Sequence, residues 1–285
     1  MSKRRFLKFH GLGNDFLLVD GRSYCPTIEE VVSLCDRHRG VGADGVLVLT
    51  PLDGKSKLEM RIFNRDGSRP EMCGNGVRCA AAYARMRWGF GEEILVESDA
   101  GPRACRINSQ EGTTWQVSVD MGTAEVAANP VELEVDTDVD TESYEVLPVD
   151  VGNPHGVVWS YPSLEAIDRA GQEANQDHQS FPNGVNLEFV RPMEGGLGLE
   201  VVVYERGVGR TRACGTGACA VAAAYFQREP AETEAVDVHL PGGVLQIRRV
   251  QERLWMTGEA ALVFAGEWLI DDEEAMDYDT DVKEL

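Results

Sequence analysis

Cys73-Gly-Asn-Gly-Val-Arg-Cys-Ala-Ala-Ala-Tyr-Ala84 and Cys214-Gly-Thr-Gly-Ala-Cys-Ala-Val-Ala-Ala-Ala-Tyr225 are two copies of one pattern. Glycines stand at the second and fourth positions of each, Gly74 and Gly76 against Gly215 and Gly217. The alanine-rich continuation of each copy predicts a helix. Ala218 to Phe226 is apolar all round, and so is Val77 to Ala84 apart from Arg78. A helix without a polar face is normally buried. The short strand signals on either side must therefore enclose it. The expected fold is α+β: two similar domains from an internal duplication, each a curved mixed β-sheet wrapped about a central helix.

The rest of the chain repeats in register with the cysteines. Gly13-Asn14 precedes Phe16-Leu-Leu-Val, as Gly152-Asn153 precedes Val157-Val-Trp. Phe63-Asn64-Arg65 matches Tyr204-Glu205-Arg206, and Ser98–Ile107 resembles Leu240–Ile247. The halves are expected at 1–125 and 126–274, with an acidic tail at 275–285. The last strand, near 261–270, is placed to return to the first half. Alternation predicts strands over 5–19 about a glycine turn, and further strands at Val46–Leu49, Leu58–Phe63, Ile94–Glu97 and Trp115–Val119. Glu132–Val139 alternates apolar with acidic residues, as a strand with one wet face does. Thr27 caps a helix running through Cys35, with Glu29 and Glu30 in its first turn.

A chain of 285 residues that is 43% hydrophobic supports a sizeable core. Its net charge of −21 argues against nucleic acid and anionic membrane as partners, since both need a basic face. No apolar run has the length of a signal peptide or a membrane span, so the cytoplasm is the expected compartment. The only lysines are Lys3, Lys8, Lys55, Lys57 and Lys283. An acidic, lysine-poor surface suits a protein kept in solution at high salt, and a halophilic source is expected.

Seven cysteines without a disulfide rhythm fit a reducing compartment. Cys25, Cys35 and Cys105 read as small core residues. Gly40-Val-Gly-Ala-Asp-Gly45 follows a helix and precedes a strand, the reverse of a dinucleotide-binding context. Asp136, Asp138 and Asp140 open like a calcium loop, but Thr141 stands where the turn glycine belongs. Cys73/Cys79 with Cys214/Cys219 could form a four-cysteine zinc site, although the spacing is wrong for a knuckle. Cys73 and Cys214 could instead be a redox dithiol, or an acid/base pair. A helix N-terminus lowers a thiol pKa and holds anions, which suits the last reading.

Longer motifs carry a specific resemblance. His10-Gly-Leu-Gly-Asn-Asp-Phe, Phe63-Asn-Arg-Asp-Gly-Ser, Met72-Cys-Gly-Asn-Gly-Val-Arg-Cys, Gly152-Asn-Pro-His and Tyr204-Glu-Arg-Gly-Val-Gly-Arg-Thr-Arg-Ala-Cys-Gly-Thr-Gly-Ala resemble the diaminopimelate epimerases. Leu240-Pro-Gly-Gly and Met256-Thr-Gly-Glu fit as well, so the likeness runs from about residue 6 to 265. It implies a metal-free, pyridoxal-independent enzyme with no cofactor, interconverting LL- and meso-2,6-diaminopimelate in lysine biosynthesis. The substrate would lie between two similar domains, and a homodimer is compatible with this.

By the same resemblance Cys73 and Cys214 are catalytic, supported by His155 and Glu205. Substrate would be bound by Asn14, Asn64, Asn153, Asn186, Glu205 and Arg206. Gly74-Asn75 and Gly215-Thr216 would offer backbone N–H groups to the carboxylate at the reacting carbon. Gly45 departs from the pattern, because some members carry glutamine there. Read without the family, Asn14 and Asn153 are turn residues, His155 is a loop histidine and Glu205-Arg206 is a surface ion pair. Asn186 in a strand run needs a buried partner. The nearest relatives to exclude are the proline racemases and hydroxyproline epimerases. They tend to carry histidine where this chain has Asn75, and lack its Tyr-Glu-Arg-Gly run.

Overall fold

The structure is a computed structural model that describes residues 2–52, 54–70, 73–136, 141–196, 198–229 and 233–270. The 275–285 tail, Asp138 and Asp140, and the end of the Glu132–Val139 strand lie outside these.

The first half begins with β1 (Ser2–Gly11) and β2 (Asn14–Asp20), joined by a turn in which Gly13 has φ +83°. Helix α1 (Ile28–Cys35) starts at Thr27, whose hydroxyl accepts from the Glu30 N–H while the Glu30 carboxylate accepts from the Thr27 N–H. Such a capping box satisfies two orphan donors and contributes about 1 kcal/mol. It lays Val31, Leu34 and Cys35 on the outside of the sheet, against Val46 and Val48. Strands β3 (Gly45–Pro51) and β4 (Lys57–Asn64) lead into α2 (Gly74–Trp88). Then come β5 (Glu93–Ser98), β6 (Gly101–Glu111) and β7 (Thr114–Gly122).

These strands close on themselves. β1–β2, β3–β4, β5–β6 and β6–β7 are antiparallel, while β2–β3 and β4–β5 are parallel. The final strand, β17 (Arg253–Ile270), completes the ring by pairing antiparallel with both β7 and β1. Inside the ring lies α2, fully buried from Gly74 to Ala84. That burial is why eleven successive positions carry no exposed polar face.

The second half repeats the order. After β8 (Glu125–Val126), β9 (Val131–Asp136) and β10 (Thr141–Asp150) come β11 (Pro154–Val158), the outer helix α3 (Leu164–Gln176), β12 (Asn186–Pro192), β13 (Leu199–Glu205) and β14 (Gly209–Thr211). The inner helix α4 (Gly215–Arg228), β15 (Ala235–Leu240) and β16 (Gly243–Val250) follow. β11–β12 and β13–β15 are parallel, matching β2–β3 and β4–β5. β16 hands on to β17, whose first residues it pairs, so β17 borders strands of both halves. The expected α+β class, with a curved mixed sheet about each central helix, is the class observed.

Two expectations fail. Cys25 is exposed, because it falls in the loop between β2 and α1, where Pro26 takes the inward position. Helix α3 was not anticipated, although Ser163 caps it and its buried face, Ile167, Ala170, Gly171 and Ala174, keeps helical spacing; three of those four residues are small, and the stripe was passed over.

Candidate active site

Cys73 and Cys214 are the N-cap residues of α2 and α4, both in extended backbone. Packing, rather than backbone conformation, demands the glycine after each. A Cβ on Gly74 would lie 2.9 Å from Met256 Cε, and one on Gly215 only 3.0 Å from Met256 Sδ and 3.7 Å from Gly74 Cα. The two helix N-termini therefore meet beside Met256 of β17. The structure brings the two cysteines, 141 positions apart in the repeat pattern, to one place.

Cys73 keeps partial solvent access, whereas Cys214 is buried. The Cys214 sulfur accepts from the Gly217 N–H at 3.4 Å and lies 3.5 Å from Thr216 Oγ1. Cys73 makes no such capping bond, but its thiol donates to Asn14 Oδ1 at 3.8 Å. The helix dipole alone would favour thiolate at both. In this site burial outweighs it and pushes both thiols up. A helix terminus contributes about 0.3–2 kcal/mol, while full burial moves a pKa by up to about 3–5 units, several kcal/mol. Glu205 adds to the rise at both, and Glu188 at Cys214. The expectation of lowered pKa values is corrected: burial outweighs the helix termini at both thiols.

Asn14 is oriented from behind. Its amide nitrogen donates to Asp44 Oδ2 at 3.0 Å, and a carboxylate can only accept. Its carbonyl oxygen is thereby turned toward Cys73 and toward Asn75, whose Nδ2 donates to it at 3.1 Å. The same Asn75 amide donates to the Ala213 carbonyl at 3.1 Å, one residue before Cys214. Asn75 thus ties the two cysteine loops together.

His155 and Asn153 meet as their motif implies: His155 Nε2 lies 3.1 Å from Asn153 Oδ1. The other ring nitrogen, Nδ1, is 2.7 Å from Glu188 Oε1, and both side chains are fully buried. Sequence reading missed Glu188. The available signal was a lone acid in the apolar run Val185-Asn-Leu-Glu-Phe-Val190. Burial holds its carboxyl above the usual range, with His155 opposing that rise. Its second oxygen has no hydrogen-bond partner among the described residues. Glu188 also sets the size of α4's third residue, since a Cβ on Gly217 would sit 2.6 Å from Oε1.

Glu205 is raised by burial, while Thr211, which donates to its Oε1 at 2.5 Å, and His155 oppose this. Its charge is felt at both thiols and at Glu188, which places it within the cluster. Arg206 points elsewhere: its guanidinium donates to the Asn183 carbonyl and is exposed. The surface ion pair between Glu205 and Arg206 is therefore not present. Asn186, buried as a strand residue, finds its partners in backbone, donating to the Pro154 carbonyl at 3.0 Å and accepting from the Arg206 N–H at 2.9 Å. Asn64 pairs with Gly45 across β3 and β4, but its side chain donates to Ser68 Oγ and is not bonded to the cysteine cluster. A Cβ at Gly45 would lie 2.4 Å from the Phe63 carbonyl oxygen, so this backbone has no room for the glutamine of other members. Among the described residues no three of His, Cys, Asp and Glu converge as metal donors would.

The family model for diaminopimelate epimerase matches residues 6–127 and 148–263. A diaminopimelate epimerase of Cyanothece sp. is 39% identical over 279 residues, covering 92% of this chain and 98% of the relative. One of Synechococcus sp. is 41% identical over 281 residues, covering 92% and 96%. Among solved structures, a predicted epimerase of Pseudomonas aeruginosa superimposes with TM-score 0.73 at 18% identity, over 94% of this chain and 100% of that one. A hydroxyproline epimerase of Agrobacterium vitis does so with TM-score 0.69 at 16% identity, over 98% and 93%. These two share the fold, while the cyanobacterial relatives share the sequence along nearly its whole length. The chain belongs to the diaminopimelate epimerase family.

Proposed function

We propose that this chain interconverts LL- and meso-2,6-diaminopimelate, a step of lysine biosynthesis, with Cys73 and Cys214 as the two acid/base groups and no cofactor. The observation that carries the reading is the meeting of two cysteine-capped helix N-termini beside Met256. An α-carboxylate seated there receives N–H groups from Gly74-Asn75 and Gly215-Thr216. Such preorganised donors stabilise the negative charge that develops as the α-hydrogen leaves. One thiolate removes the proton from one face of the carbon, and the opposite thiol returns a proton to the other. The roles exchange in the reverse direction.

Burial pushes both thiols up and so favours their protonated forms. The substrate's α-ammonium is then the cation that favours ionising one of them as it binds. Buried Glu188 fixes the His155 ring, and with Glu205 it supplies the acid/base surroundings of the pair. Asn14 and Asn153 face the reacting end. Asn64, Asn186 and Arg206 are the groups assigned to the substrate's distal end, which requires the Arg206 guanidinium to leave the Asn183 carbonyl, while Asn186 also ties β11 and β12 to the residue after β13. Reduced thiols are required, and all seven cysteines are free, which fits a cytoplasmic enzyme.

The test is α-hydrogen exchange in deuterated water, followed by NMR, with LL-diaminopimelate and proline in parallel. Exchange and inversion are expected with diaminopimelate alone. Cys73→Ala and Cys214→Ala should each abolish inversion while leaving the melting temperature near that of the parent. Turnover of proline only, or near-normal inversion in either variant, would reject the proposal.

A further inference from the structure

Arg78 is the one charged side chain in the apolar stretch of α2, and it is completely buried. Taking a charge out of water costs several kcal/mol unless it is answered. Its polar partners among the described residues are all neutral: Asn75 Oδ1 at 2.9 Å, the Gly74 carbonyl at 3.5 Å, the Glu259 carbonyl at 3.2 Å and Met256 Sδ at 3.7 Å. The thiols of Cys79, Cys73, Cys219 and Cys105 are near enough for their charge to favour its charged form. Only Cys73 among them has access to solvent.

The slot is built for this side chain. A Cβ on Gly11 would lie 3.0 Å from Arg78 Nη2, and one on Gly258 3.3 Å from its Nε. The duplication also breaks here: by the alignment of the two copies, the counterpart of Arg78 in α4 is Cys219. Arg78 reaches both cysteine loops through Asn75. With Oδ1 occupied by the guanidinium, the Asn75 NH2 is committed to Asn14 beside Cys73 and to Ala213 beside Cys214.

We propose that Arg78 is the positioning residue that fixes Asn75, and with it both thiol loops, and that its charge is answered in the working enzyme by the Cys73 thiolate. The proposal rests on the two-thiol reading above. A guanidinium gives the planar fork this requires, and an ammonium gives only the charge.

Arg78→Lys and Arg78→Gln separate the two parts. Inversion kinetics are measured alongside the pH profile of iodoacetamide alkylation at Cys73, followed by mass spectrometry. Alkylation needs no substrate, so it decides the matter even if diaminopimelate is not turned over. Both variants should lose about 100-fold in kcat with little change in KM, as expected for groups displaced by about an ångström. Losing the cation raises the thiol pKa, so the alkylation limb should move to higher pH in Arg78→Gln and stay in place in Arg78→Lys. Because the planar fork acts through Asn75, Arg78→Lys, which keeps the charge, combined with Asn75→Ala should fall no further than Asn75→Ala alone. Wild-type kcat in either folded variant, additive losses, or an unmoved alkylation limb in Arg78→Gln would overturn the proposal. If Arg78→Gln does not fold, Arg78→Lys decides alone: reduced kcat with an unmoved limb supports it, and wild-type kcat rejects it.

Discussion

At the scale of single residues, the thiols were legible and their supports were not. A cysteine followed by glycine at a helix start is visible in a linear chain, because the helix itself is local. Glu188 acts through His155, and Arg78 through Asn75, whose own partners Asn14 and Ala213 are far away in sequence, so only the closed fold brings these groups together. Glu188 yields a direct prediction. Glu188→Gln keeps the shape beside Gly217 but removes the charge that holds His155 Nδ1. We expect kcat to fall by about 10- to 100-fold, the usual cost of losing the group that orients a functional imidazole. Steady-state kinetics check this. A kcat within twofold of the parent would mean that Asn153 alone orients the ring. Glu205 and Arg206 do not pair because Glu205 ends β13 and Arg206 opens the following turn, where its guanidinium donates to the Asn183 carbonyl.

At the scale of elements, legibility followed the strength of the local signal. Thr27 with Glu30 marked α1 because a capping box is written in four residues. The strands of the first half showed through alternation or continuous apolar runs, whereas in the second half only Glu132–Val139, the run about Asn186 and the last strand were read directly. Helix α3 was missed although Ser163 caps it and its inward positions 167, 170, 171 and 174 keep helical spacing, because most of them are the small residues that let it lie close to β13. Gly171 is the closest point, where a Cβ would stand 2.2 Å from Tyr204 Cγ. That contact predicts the sign of a substitution that helix propensity alone gets wrong. Gly171→Ala gains about 1 kcal/mol in propensity, but overpacking against a ring held by the sheet costs about 1–3 kcal/mol. The variant should have a lower urea midpoint at unchanged slope. A raised midpoint would show that Tyr204 yields easily.

At the scale of the whole molecule, the duplication was readable from four sequence correspondences, but the way the halves are joined was not. Strand β17 pairs with β16, β7 and β1, so it joins the second half's sheet to the closed first half and carries Met256 to the point where the helices meet. What the sequence states most plainly at this scale is charge: 48 acidic residues against 27 basic, a net −21. The ion pairs among the described residues, such as Lys3–Glu267, Arg5–Glu267 and Arg69–Asp99, are largely exposed. Pairs of that kind contribute little, about 0–1 kcal/mol each. The excess of carboxylates therefore acts as self-repulsion that favours expansion of the chain. We propose that the protein is adapted to concentrated salt. Screening shortens from about 10 Å at 0.1 M to about 3 Å at 1 M, which removes most repulsion between neighbouring surface carboxylates. The melting temperature should thus rise steeply with KCl up to about 1 M. Any rise beyond that must come from another source, and a salting-out anion such as sulfate, which strengthens apolar burial, should then outperform chloride at equal ionic strength. Thermal melts across KCl and potassium sulfate series check both parts. A melting temperature that is flat or falls with KCl would refute the salt adaptation and leave the epimerase reading intact, because the cysteine cleft does not depend on surface charge.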